Sequence, residues 1–114
     1  MIVRKKALTA IDFDGLAIYD YTAGQTSSSS FAVIHVPSGG RHAEAWSKRS
    51  DKYYHVTGGQ VQFALDGVEC ALTAGDFCLV RQGQRFWYEN RAAEAATLIL
   101  VHTPSFDLAS EVFV

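Results

Sequence analysis

The stretch GGRHAEAWSKRSDKYYHVTG, residues 39–58, decides how this chain is read. Gly39-Gly40 opens it and Gly58-Gly59 closes it, and glycines of this kind sit where a backbone turns sharply between strands. Between them KYYHV carries the aromatic and β-branched residues of a short strand. Downstream, QVQFAL is followed by Asp66-Gly67, a strong hairpin signal. VECAL, FCLV, RFWYEN and ATLILVHT then follow at intervals of about ten residues, with Gly75-Asp76 and Gln82-Gly83 between them, the cadence of a sandwich or barrel.

Upstream, FAVIHV reads as a strand ending at Pro37 and the Ser38-Gly39-Gly40 turn. Residues 2–11 and 16–21 read as two short strands flanking Asp12 to Gly15, and GQTSSSS, residues 24–30, as a polar connector. No helical period is present. The end, TPSFDLASEVFV, fits either one helical turn or a last edge strand. The fold class is therefore all-β.

With 114 residues and 12.5 kDa, the chain has room for one core and one domain, residues 1–114. Hydrophobic residues at 48% and charged residues at 19% exclude a disordered polyelectrolyte, and a net charge of −2 argues against nucleic acid as a partner. No run of apolar residues is long enough to span a membrane, and the first residues lack the apolar core of a leader, so a cytoplasmic protein is expected. Cys70 and Cys78 match no zinc or redox spacing and are expected as buried free thiols.

Gly39, Ala45, Ser47, Asp51 and Gly58 are spaced as G-x5-H-x-H-x3-E-x6-G, and Gly75, Arg81, Gly83, Phe86 and Asn90 as G-x5-P-x-G-x2-H-x3-N. In both, the chain resembles the cupin superfamily, with core motifs at 39–58 and 75–90. The resemblance implies a cupin-type jelly-roll β-barrel in which three histidines and a glutamate would hold a divalent ion. Those four positions here are Ala45, Ser47, Asp51 and Phe86, and one carboxylate is too few donors, so neither a metal nor another cofactor is expected. His42 and Glu44 form an H-x-E pair just upstream, which a loop shift would have to turn inward to make an alternative site.

If Asp51 points into the barrel, as the family's acid does, alternation carries Tyr53 and His55 inward and Tyr54 and Val56 outward. Asp51, Tyr53 and His55 are then the candidate catalytic groups, and Ala45, Ser47, Phe63, Phe86, Tyr88 and Asn90 the candidate ligand pocket. Such an aromatic pocket suits metal-independent binding of a small organic molecule. The same residues also suit a metal-free isomerase, epimerase or cyclase, and a barrel filled by its own side chains would leave a structural or interaction protein. Arg81 and Arg85 are placed to hold an anionic group or simply to face solvent, while the inward or outward facing of His35 and His102 stays open. Trp46, Tyr54 and Trp87 form an expected outer aromatic face, consistent with a homodimer.

Overall fold

The computed structural model describes residues 1–25 and 27–114. Among these residues the strands are β1 (Ile11–Phe13), β2 (Leu16–Asp20), β3 (Ser30–Val36), β4 (Arg41–Ser47), β5 (Asp51–Gly58) and β6 (Gln60–Leu65), then β7 (Val68–Thr73), β8 (Phe77–Val80), β9 (Phe86–Glu89), β10 (Ala96–Thr103) and β11 (Glu111–Phe113). They form one sheet in the order β1-β2-β3-β10-β5-β8 and another in the order β11-β4-β9-β6-β7, with neighbouring strands antiparallel. This is the all-β, two-sheet architecture that the turn cadence predicts.

Turn chemistry sets several of the hairpins. Asp66 and Gly67 both have positive φ, 48° and 83°, as a tight two-residue hairpin with the right twist requires. In β10 every second residue, Ala96, Leu98, Leu100 and His102, is buried, and the register passes that parity to both neighbours. Rows of inward side chains therefore cross the larger sheet. One row is Ile18, Ile34, Leu98 and Val56, the next is Asp20, Ala32, Leu100 and Tyr54, and the last is Ser30, His102 and Lys52. The first row is aliphatic and the last is polar, so the barrel has a dry end and a chemically equipped end.

Two expectations about the strands are corrected. Residues 2–11 do not form a strand: Lys5–Ala7 make a 3-10 turn and only Ile11 enters β1. The basic run Arg4-Lys5-Lys6 supplies no alternating apolar face to bury, and all three residues are exposed. At the other end both options occur in succession, a 3-10 turn at Leu108–Ser110 and then β11, with the Asp107 carboxylate accepting from the Ala109 amide at the turn's start. The two thiols are free, but Cys70 is exposed and only Cys78 is partly buried; burial, with a smaller contribution from Cys70, pushes the Cys78 thiol up to about 11. Among the described residues no helix is long and apolar enough to cross a membrane.

Candidate functional site

A cavity of about 290 Å³ opens at the polar end of the barrel, between β1, β2, β3, β10 and β5 of one sheet and β4, β9 and β11 of the other. Its inner wall is aromatic. The Tyr54, Phe63, Phe86 and Tyr88 rings pack against one another with centroids 5.2–6.1 Å apart, and Tyr54 and Tyr88 reach the cavity surface. Aromatic packing of this kind closes the floor and leaves the space above it open.

His42 enters this wall because of an irregularity in β4. His42 lies opposite Tyr88 and Ala45 opposite Phe86, so three steps along β4 match two along β9. The extra residue is a β-bulge, and it reverses parity so that His42 shares the inner face with Ala45 and Ser47. The imidazole lies 4.9 Å from the Phe86 ring centroid and 5.3 Å from that of Tyr88. Its Nδ1 is 2.7 Å from the Ala43 carbonyl oxygen, which can only accept, so Nδ1 carries the proton and Nε2 keeps its lone pair. Burial, aided by the charge of Lys52 and partly offset by the Ala43 carbonyl, lowers the His42 pKa to about 4.

Three charged or titratable groups form the opposite pole. Lys52 comes from β5, His102 from β10 and Glu111 from β11, and all three line the cavity. Lys52 donates to the Glu111 carboxylate in a buried ion pair whose side chains are 4% and 6% exposed, and its Nζ lies 3.2 Å from His102 Nε2. The ammonium also stands 5.2 Å from the Phe86 centroid. Desolvation pulls the Lys52 pKa down while Glu111 holds it up. Burial and the neighbouring Lys52 lower the His102 pKa to about 3.

Tyr88 stands beside His42 on the aromatic wall. Its side chain is 0% exposed, its pKa is raised by burial, and among the described residues its hydroxyl has no hydrogen-bond partner. An orphaned buried hydroxyl calls for an explanation, and this one belongs to a side chain that lines the cavity.

The sequence-predicted residues are distributed differently. On β5 the buried set is Lys52, Tyr54 and Val56, so Asp51, Tyr53 and His55 do not line the cavity and Tyr54 is not outward. The Asp51 carboxylate instead accepts from the Gln82 amide at 2.8 Å, Tyr53 packs against Phe77 and His55 meets the Asp76 carbonyl. One residue of displacement explains this, since strand period two moves a whole set of side chains to the other face. The polar odd-numbered set, Asp51, His55 and Thr57, was the available signal for the outward face.

Of the predicted pocket residues, Tyr88 lines the cavity. Ala45, Phe63 and Phe86 lie in the packed core beneath it. Ser47 is buried with its hydroxyl accepting from the Arg49 and Ser50 amides, and Asn90 donates to the Val36 and Glu94 carbonyls while accepting from the Ala92 amide. These two polar side chains are satisfied by loop backbone. Arg81 and Arg85 are exposed, and His35 is outward with Nδ1 3.2 Å from Thr97 Oγ1, whereas His102 is inward.

The donor set does not fit a divalent ion. The four motif positions hold a methyl group, a hydroxyl occupied by backbone, a carboxylate engaged outside the cavity and a phenyl ring. Among the described residues no group of three or more His, Cys, Asp or Glu converges, and the Lys52 ammonium occupies the space between Glu111 and His102.

Comparison with solved structures places the fold among known barrels. Pac13, described as a nucleoside dehydratase, is 23% identical, with a TM-score of 0.87 over 100% of this chain and 90% of that chain. A Streptomyces Pac13 variant with uridine, in which a histidine is replaced by glutamine, matches with TM-score 0.84 at 23% identity over 97% and 88% of the two chains. Further uridine structures of Pac13 carry a tyrosine-to-phenylalanine change at one of two positions. A predicted oxalate decarboxylase from Thermotoga maritima matches with TM-score 0.83 at 18% identity over 91% and 99%. No curated protein matches the chain. The family model for the cupin domain matches residues 32–102, well over half of the sequence, and the chain belongs to the cupin family.

Proposed function

We propose that this protein binds a nucleoside or a closely related ring-plus-sugar metabolite in the cavity and removes water from it by metal-independent acid–base chemistry. The observation that carries the reading is the unpartnered Tyr88 hydroxyl beside the neutral His42 imidazole. A cavity of about 290 Å³ is near the lower bound of roughly 300 Å³ for small-molecule sites, adequate for one flat ring and a sugar. The aromatic floor suits the ring, and Asp20, Ser30, His102 and Lys52 at the other pole suit sugar hydroxyls. The Pac13 variants support the reading in a second way. The two tyrosines replaced there are separated by the same number of residues as Tyr54 and Tyr88 here.

Dehydration needs a base for a C–H proton and an acid for the departing hydroxyl. His42 Nε2 is the free lone pair among these groups and serves as the base. Tyr88 gives its proton to the oxygen that leaves as water, and the proton taken up by His42 returns to the Tyr88 oxygen, so no oxidant or reductant is consumed. A base with a pKa near 4 is weak, and the substrate C–H must therefore be acidified by an adjacent carbonyl.

Calorimetric titration of uridine and the other common nucleosides into the purified protein tests the binding step. We expect saturable binding that Tyr88→Phe weakens about tenfold, the worth of one hydrogen bond in a dry site. Absence of heat with every nucleoside overturns the binding step, and a nucleoside oxidised to a sugar carbonyl that binds but loses no water by mass spectrometry overturns the dehydration.

A further inference from the structure

Lys52 is an unusual occupant of a β-barrel interior. Its amine lies at the cavity wall, where it meets Glu111, His102 Nε2 at 3.2 Å and the Phe86 ring. A lysine that served only to neutralise Glu111 would be as stable replaced, with its partner, by apolar groups. Here the pair faces open space large enough for a ligand, and both neighbours of the amine are proton acceptors. Desolvation in an apolar pocket is what makes a lysine amine a nucleophile toward carbonyl carbon, and the adjacent Glu111 carboxylate offers a place for its proton.

We propose that Lys52 forms an imine with the carbonyl group of an aldehyde or ketone bound in the cavity. The inference rests on the cavity being a ligand site and on no particular ligand ring.

The step balances within the residues present. Glu111 takes a proton from the Lys52 ammonium, the free amine attacks the carbonyl carbon, and a carbinolamine forms. Its hydroxyl then leaves as water with the proton that Glu111 held, and a C=N bond remains. His102, neutral because burial and Lys52 lower its pKa to about 3, accepts a hydrogen bond from Lys52 and fixes the direction of the amine. His42 from β4, Tyr54 and Tyr88 from the floor and Asp20 and Ser30 from β2 and β3 complete the polar groups that line the cavity; the first three carry no negative charge at neutral pH, and the Asp20 carboxylate accepts from the Thr22 amide. An iminium also acidifies the adjacent C–H, which supplies the activation that a weak base such as His42 requires.

Benzaldehyde with sodium cyanoborohydride is the probe, since reduction converts the imine to a stable secondary amine that peptide mass mapping locates. The other lysines, Lys5, Lys6 and Lys48, are exposed and act as internal references. We expect the adduct at Lys52 first, about tenfold ahead of the surface lysines, because desolvation pulls its pKa down and the cavity holds the aldehyde beside it. Lys52→Arg keeps the charge and should lose the selective adduct. Recovery of Lys52 unmodified, or modified no faster than the three surface lysines in protein that still melts cooperatively, overturns the proposal. Trapping at Lys52 in a protein that fails to bind nucleosides sinks the nucleoside reading and leaves this one standing.

Discussion

The two ends of the barrel are built from the same strands and differ in what those strands present. Along β5 the inward residues run Val56, Tyr54, Lys52; along β10 they run Leu98, Leu100, His102; along β2 they run Leu16, Ile18, Asp20. At one end the rows close on aliphatic contacts. At the other they open on an ion pair, two neutral histidines and an orphaned hydroxyl. A single sheet register thus carries both a packed apolar region and an open polar region, and the aromatic floor divides them. The filled-barrel alternative describes one end only.

Each of four measurements breaks or sharpens that division. The largest effect is expected from Glu111→Ala, which leaves Lys52 buried and unpaired and should cost about 4 kcal/mol in urea unfolding. Replacing both partners, Lys52→Met with Glu111→Leu, should restore most of that loss; a double variant as unstable as the single one would show that the pair is not the cause. At the packed end, Leu98→Ala should cost about 3 kcal/mol while leaving ligand affinity unchanged. An equal loss of affinity would mean that the two ends are not independent.

Acid is expected to act on the equipped end. An unfolded histidine titrates near 6.5, whereas His42 and His102 are held near 4 and 3. Below pH 6.5 the unfolded chain takes up protons that the folded chain refuses, so this stability is present above 6.5 and falls as the pH drops toward 4 and then 3. The loss between pH 6.5 and 5 should be on the order of 3 kcal/mol, and replacing both histidines should flatten it. The smallest effect belongs to Tyr88→Phe, which removes an unsatisfied hydroxyl and should change stability by less than about 1 kcal/mol, in the stabilising direction. A large destabilisation would show that the hydroxyl has a structural partner after all.

Much of the architecture was readable from residue order, because strands and turns are local. Asp66-Gly67 predicts a hairpin through the positive-φ conformation that such a pair tolerates, and the alternation in ATLILVHT predicts which face of β10 is buried. The site was less readable because its composition depends on parity. Anchoring the count at Asp51 rather than Lys52 exchanges Tyr53 and His55 for Tyr54 and Val56, and the bulge after His42 is invisible to any fixed spacing. Glu111 was hidden for a different reason. Its place depends on a strand near the end of the chain that pairs with β4, far away in sequence, and no local pattern encodes that partnership.

That last strand has a consequence for how such a barrel diversifies. β11 is an edge strand with one neighbour, yet it sends Glu111 and Phe113 to the cavity. Exchange there has to keep residue 111 matched to Lys52, as a charge pair or as an apolar pair, and otherwise disturbs a single neighbouring strand. A short segment therefore determines the charge opposite Lys52, and swapping it offers a route to new chemistries on an unchanged barrel.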